Sequence, residues 1–444
     1  MKQLPLVTAV FLAGSLLAGQ AETPPVAATN EQAIVVTATR TRRQLLEIPA
    51  SVSVITDRQI ESSPATTIND CLREVQGVSI VKVMGMSQGM PSRINIRGIP
   101  GEQRVLVLAD GLPLNEAISR FSSVNEIPLN SIQRVEVIRG PFSSLYGTDA
   151  FGGVVNIITR EGSEKTEFGL YGGAGQHGFY DVGGHITGGA GSARYRLDFE
   201  QRAIDNFLAR DFAIDRRYDY AAGQYVDTRV EPENYDYADT KALGKLTVDF
   251  GSDSTLSLYG RYFKSDMGFG RKDLAPLYPA PEDNVTDMRT ALVGGMFNSA
   301  WSASTDLRAG GYFRRQSREL WGLDLKGMDG EMPVYARSYS ESVCDEWQIE
   351  CGGDFEPFES HTVSAGAEAR RSDVDFKPLR EDATGADFPG AAGARNQTMD
   401  LGFFVQDEVK LSDAWKLICG LRLDHNSQFG SALSPRVSAL YDLS

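Results

Sequence analysis

The chain has little cysteine, little histidine and, past its first residues, no long apolar run. Its four cysteines, Cys71, Cys344, Cys351 and Cys419, are scattered over 444 residues with no CxxC pair. That excludes a disulfide framework and a cysteine-rich zinc site. Cys344 and Cys351 are an odd number of positions apart, so on one strand they would face opposite ways and could not bridge. The four histidines, His177, His185, His361 and His425, show no haem-ligand pairing. No nucleophile, base and acid follow one another in a recognisable order, which argues against an enzyme. Past residue 21 no stretch of 18 apolar residues occurs, which excludes a membrane-spanning helix. Basic charge is also short: 44 Lys and Arg stand against 59 Asp and Glu, a net charge of −15. A nucleic-acid partner is therefore disfavoured, because phosphates need cations.

What is present points elsewhere. Apolar residues make up 41% of the chain, and there are 45 glycines. Both values suit a soluble protein. They equally suit a transmembrane β-barrel, in which only every second residue meets lipid. Lys2, the apolar run Leu4 to Ala18, and the small residues Gly19 and Ala21 read as a secretory leader cleaved after Ala21. No cysteine sits at that site, which argues against a lipoprotein. Residues 22–40 form a small, Pro-containing linker that holds an isolated β-prone run, Ile34 to Thr37. Such a run can form a first strand or pair with the sheet edge of a partner.

Residues 41–160 read as a mixed α/β domain. SVSVIT (Ser51 to Thr56), GVSIVKV, SRINIRG, RVLVLADG, QRVEVIRG and GGVVNIIT are strands by alternation and β-branching. ATTINDCLREV places Ile68, Leu72 and Val75 on one helical face, with Thr66 or Thr67 as N-cap. ADGLP is a turn. Between Arg134 and Arg160 two alternating runs flank a stretch rich in Gly and Ser, with Gly140-Pro141 and Tyr146-Gly147 shaping an irregular turn.

From about residue 161 the pattern becomes long hairpins. MDLGFFVQDEVKL sets Met399, Leu401, Phe403, Val405, Val409 and Leu411 on one face, and Asp400, Gly402, Gln406, Glu408 and Lys410 on the other; Phe404 and Asp407 break the alternation. Trp415, Leu417, Cys419, Leu421 and Leu423 form an outward stripe, as do Tyr195, Leu197 and Phe199 opposite Arg194, Arg196, Asp198 and Glu200. Short turns near 188–192, 250–254, 301–305 and 411–415 alternate with long loops near 203–237, 266–285, 317–335 and 374–395. Segregating short from long connections is the habit of outer-membrane barrels.

Five ordered stretches then resemble the TonB-dependent outer-membrane receptor family: IVVTA (Ile34 to Ala38), IPASVSVITDRQI (Ile48 to Ile60), INIRGIP (Ile94 to Pro100), RVLVLADGLPLN (Arg104 to Asn115) and IQRVEVIRGPFSSLYGTDAFGGVVNIITR (Ile132 to Arg160). LSPRVSALYDL (Leu433 to Leu443) is a barrel-strand pattern of the same family. The resemblance implies an α/β plug domain inside an antiparallel transmembrane β-barrel in the outer membrane of a Gram-negative bacterium. It implies a monomer, without catalysis or cofactor, that takes up a metal chelate, a ferric siderophore first, then cobalamin or haem. It implies that the partner TonB pulls on a box formed by Ile34, Val35, Val36, Thr37 and Ala38. The plug arginines Arg97 and Arg139 would face the wall, where Glu408 is the expected latch. The apical stretch 85–93, with Met86, Ser87, Gln88, Met90 and Arg93, would meet the ligand. A signalling module on the same plug is disfavoured by the short segment before the box. In the loop from Tyr218 to Thr240, Asp219, Asp227, Glu231, Glu233, Asp236 and Asp239 could hold Ca²⁺, or simply be solvated.

One departure is expected. Residues 165–443 hold about 12 strands, against the 22 of plugged transporters. Roughly ten strands, on the order of 200 residues, would complete the wall. A wall of 12 cannot close around a plug, and ALYDLS lacks a terminal aromatic. The expectation is a portion of a longer product or a truncated, inactive remnant.

Overall fold

The computed structural model describes residues 35–36, 43–44, 48, 50–82, 92–99, 104–116, 122–205, 213–219, 224–230, 236–268, 285–329, 332–381 and 393–441. The leader falls outside them.

The first domain is built on a five-stranded sheet. Its order is Ser51–Thr56, Ile132–Arg139, Gly153–Thr159, Val105–Ala109 and Leu112–Pro113. Neighbours are antiparallel except Val105–Ala109 beside Gly153–Thr159, which run parallel. The run VLVLA is apolar on both faces because both faces are covered. Val105, Val107 and Ala109 pack against Ile60, Ile68, Cys71 and Leu72 of two short helices. Leu106 and Leu108 pack on the opposite face with Ile138, Phe142, Leu145 and Val154. Asn115 finishes the edge: its side chain accepts from Val107 N–H and donates to the Val105 carbonyl, imitating a strand where none continues.

The expected helix is Ile68–Arg73, capped by Thr67. A second helix, Asp57–Ser62, was not expected; a reciprocal Thr56–Gln59 capping box starts it. The signal was legible as T-x-x-Q directly after a strand.

The second domain is one antiparallel sheet of twelve strands, from Glu167–Ala174 to Gly430–Tyr441, each paired with the next along the sheet. The strand count agrees with the reading of the sequence. Burial along these strands is inside out. Arg196, Asp198, Glu200, Arg202, Lys241, Arg314, Glu346 and Arg422 are buried, while Leu197, Phe199, Val293, Trp347, Ile349, Phe403, Leu421 and Val437 are exposed. The polar face wraps the first domain and the apolar face points away, the alternation of a membrane barrel with a polar interior. Aromatic residues mark both margins of the apolar band. Phe250, Trp301, Phe358, Trp415 and Tyr441 stand exposed at the short-turn end. Tyr262 and the Phe313–Trp347 pair, 4.3 Å between ring centroids, stand at the other. One pairing step beyond, the outward face becomes charged, with Arg315–Asp345 and Arg371–Asp373 pairs.

The two breaks in the alternation have separate causes. Phe404 turns inward and joins the apolar cluster of Phe142 and Leu145, so a wall residue completes the core of the first domain. Asp407 turns outward near the short turns and meets His361 at 2.9 Å.

Two expected loops are strands. Residues 317–335 lie in a ribbon formed by Thr305–Asp329 and Met332–Phe358, paired in register to Asp329 opposite Met332. Within 203–237, Ala213–Asp219 and Gln224–Val230 form a separate hairpin. The ribbons satisfy their own backbone groups, which an irregular loop of that length would leave to water.

Candidate plug–wall interface

The segment Arg134–Arg160 is where the plug grips the wall. Its strands, Ile132–Arg139 and Gly153–Thr159, pair antiparallel, and the bend between them carries a one-turn helix, Ser143–Tyr146. The wall answers with Arg422. Its Nη1 donates to the Leu145 carbonyl at 2.9 Å, Nη2 to Glu368 at 2.6 Å and Nε to Asp424 at 2.8 Å. Gly147 makes this approach possible. Its φ is +81°, and a Cβ there would come within 3.2 Å of Arg422 Nη2 and 3.3 Å of the Asp424 carboxylate. Arg436 lies over the Phe142 ring at 4.2 Å, and Arg370 lies 3.8 Å from Asp149. The Gly- and Ser-rich stretch is thus irregular because it presents one carbonyl, one ring and one carboxylate to arginines.

The same polarity recurs around the plug. In the ADG turn, Asp110 and Gly111 both have positive φ, +50° and +83°, as a two-residue primed turn requires. The Asp110 carboxylate accepts from Thr159 N–H at 3.1 Å and lies 3.3 Å from Lys245 of the wall. Arg318 reaches both oxygens of Glu116 at 2.7 and 2.8 Å. Glu126 receives Thr290 Oγ1 at 3.0 Å and lies 3.0 Å from Arg261. Arg314 donates to the Pro113 carbonyl at 3.2 Å and to Glu346 at 2.9 Å. Arg202 donates to the Thr66 carbonyl at 2.9 Å. Burial pushes the Glu126 carboxyl above its ordinary pKa, while Arg261 and Arg314 pull it back.

The expected latch of Arg97 or Arg139 with Glu408 is corrected by this geometry. The plug supplies acids and carbonyls; the wall supplies the cations. Arg139 Nε donates to the Gln76 carbonyl at 2.8 Å, Nη1 to Ser51 Oγ at 2.7 Å, and Nη2 to Ser53 Oγ, all within the plug. Burial, and then the neighbouring Arg97, lower its pKa. Arg97 is exposed, with φ +52° and its backbone N–H on the Gly77 carbonyl. Glu408 is buried on the inner wall as alternation required, but beside Gln406 at 3.3 Å and Lys416 at 3.9 Å. The wall arginines were missed because nothing on their own strands separates a plug-facing arginine from one paired along the wall.

Of the expected box, Val35–Val36 pairs with Arg43–Gln44 in a two-stranded ribbon. Ile34, Thr37 and Ala38 lie outside the described residues, as do Met86, Ser87, Gln88 and Met90. Arg93 is half-buried on the strand Ser92–Ile96. Glu231 and Glu233 lie outside as well. Asp239 belongs to the inner wall, accepting Tyr237 Oη at 2.5 Å with Lys241 at 3.6 Å. No group of three metal-ligating side chains occurs among the described residues. Cys344 is buried on the inner face and Cys351 is exposed on the outer, so the two cannot bridge.

A plug domain held by ion pairs against a twelve-stranded, inside-out sheet defines a plugged barrel of the outer-membrane receptor class. Solved structures share the fold. The siderophore receptor PirA from Acinetobacter baumannii superposes with a TM-score of 0.65 at 20% identity, over 88% of this chain and 59% of that one. A double mutant of the ferric enterobactin receptor PfeA from Pseudomonas aeruginosa gives 0.66 at 20%, over 93% and 62%. The unliganded ferric citrate transporter FecA gives 0.65 at 16%, over 90% and 62%. This chain therefore spans about three fifths of the length of these structures, and at such identity the likeness speaks for the fold alone. Family models agree: residues 44–154 match the TonB-dependent receptor plug domain, and residues 289–444 match the TonB-dependent receptor-like β-barrel. The chain belongs to the TonB-dependent receptor family.

Proposed function

We propose that this chain serves energised uptake of an anionic metal chelate, a ferric siderophore, across the outer membrane of a Gram-negative bacterium. The observation that carries the reading is the plug packed against the polar face of the wall. A folded domain tied to the wall by Arg422, Arg318, Arg261 and Lys245 leaves no role for passive diffusion, so passage requires the plug to be moved. Energy would enter through TonB, which would pair with the β-prone run at Ile34 to Ala38. Arginines on the inner wall suit an anionic cargo. The apical stretch 85–93, which follows the strand Val78–Lys82 in sequence and includes the first residues of Ser92–Ile96, is the plug segment we assign to cargo contact. The solved relatives of like fold are named for ferric enterobactin and ferric citrate, which supports this class of cargo.

Removing Ile34 to Ala38 is expected to abolish uptake of a radiolabelled ferric siderophore while cells still bind it. Loss of binding together with uptake would show that the run is structural and would sink the coupling role.

A further inference from the structure

At the end of the lumen opposite the short turns, three arginines of the wall face two carboxylates of the plug. Arg261 and Arg314 are deep, with side chains 3% and 4% exposed, whereas Arg318 is 26% exposed. On its own strand the outward residues change from Phe313 to Arg315 just before it, so Arg318 stands at the upper margin of the apolar band. The Glu116–Arg318 pair is the first of these that anything entering by that mouth would meet. It is also incompletely made. Nη2 alone reaches both carboxylate oxygens, and Nε is buried without a hydrogen-bond partner. A guanidinium can present two nitrogens to an oxyanion in a parallel fork. Beneath it, Arg261 lies 3.0 Å from Glu126 but off line, leaving Nε and Nη2 without a hydrogen-bond partner.

We propose that Glu116 is an internal stand-in for the ligand. It occupies Arg318 in the resting receptor, and a multivalent anion entering from the mouth takes Arg318 over with its own oxygens. The exchange is non-covalent. It lets the idle Nε join the fork, and it releases the Leu112 to Glu116 end of the plug from the wall. The displaced carboxylate keeps Ser123 Oγ, which donates to it at 3.3 Å. This inference rests on the anionic-cargo reading above and adds how occupancy would be passed to the plug.

The test uses citrate as probe, with the protein purified from outer membranes. Glu116→Gln removes the internal competitor, so citrate should bind on the order of tenfold more tightly than to the unaltered protein, the scale of one charge-assisted hydrogen bond. Adding Arg318→Gln should erase the gain. In the unaltered protein, amide exchange over residues 112–116 should rise with citrate, a readout that needs no variant to fold. Equal or weaker binding by Glu116→Gln, or unchanged exchange at saturating citrate, overturns the proposal. A gain in Glu116→Gln alongside no uptake of any ferric chelate would leave the exchange standing and discard the uptake reading.

Discussion

Plug and wall follow opposite rules of burial within one chain. In the plug, Val107, Val135, Val137, Val155 and Ile157 are fully buried in an apolar core, and the buried acids Glu116 and Glu126 lie against the wall. In the wall, Arg196, Glu200, Lys241 and Arg422 are buried and Leu421, Leu423, Val437 and Phe403 are exposed. The same period-two alternation serves both. What differs is the solvent on the far face: water around the plug, hydrocarbon around the barrel. Alternation therefore tells a strand from a helix, but the sign of burial has to come from context. Here the context was the leader, the loop asymmetry and the motif order.

The strongest way to break the comparison is to put a charge where each region forbids one. Val137→Asp in the plug buries a carboxylate without a partner and should cost more than about 4 kcal/mol. The wall should still insert, and the plug should become protease-sensitive. Leu421→Arg on the outer wall should cost about 2–4 kcal/mol and appear as lower insertion. If Leu421→Arg inserts normally while Leu421→Ala does not, the outer face is not facing lipid.

The interface where the two rules meet gives a smaller effect. Arg422 is 2% exposed and serves Leu145, Glu368 and Asp424 at once. Arg422→Ala leaves two carboxylates without their cation and should loosen the plug by about 3–5 kcal/mol. Limited proteolysis of the plug in intact outer membranes would show it as faster cleavage near 143–147. An unchanged cleavage rate would mean that Phe404 and the apolar cluster hold the plug without the clasp.

Much of this was legible beforehand. Every plug strand read from alternation is present, and the inward and outward stripes at 193–204, 394–410 and 415–426 fall as read. The pairings were not legible. Glu408 faces inward as its parity demanded, yet parity says nothing about depth, and Lys416 lies nearer to it than any plug arginine that the sequence suggested. Arg139 looked like a wall contact, but Gln76 and two serines of the adjoining edge strand use its donors first. The long ribbon at 305–358 was hidden because its outer half carries Gly, Asp and Lys, residues that read as loop when pairing partners are unknown.

The smallest test lies on the plug side of the comparison, where water rather than lipid sets the rule. Asp70 is half-buried at the start of the helix Ile68–Arg73. Burial alone would raise its pKa, but hydrogen bonds from Thr67 and Thr66 outweigh that and hold it below 3.8. A carboxylate with a depressed pKa adds stability that is present above its unfolded value and lost as pH falls through the folded one. Protection of the amides at residues 67–71, taken relative to their intrinsic exchange at each pH, should therefore stay constant from neutral pH down to about 4 and fall below it. Asp70→Asn should flatten that acid limb and cost a few tenths of a kcal/mol to about 1 kcal/mol at neutral pH, the range of a lost cap. An acid limb that survives in Asp70→Asn would assign the loss to another carboxylate, but not to Glu126, whose raised pKa adds stability as pH falls.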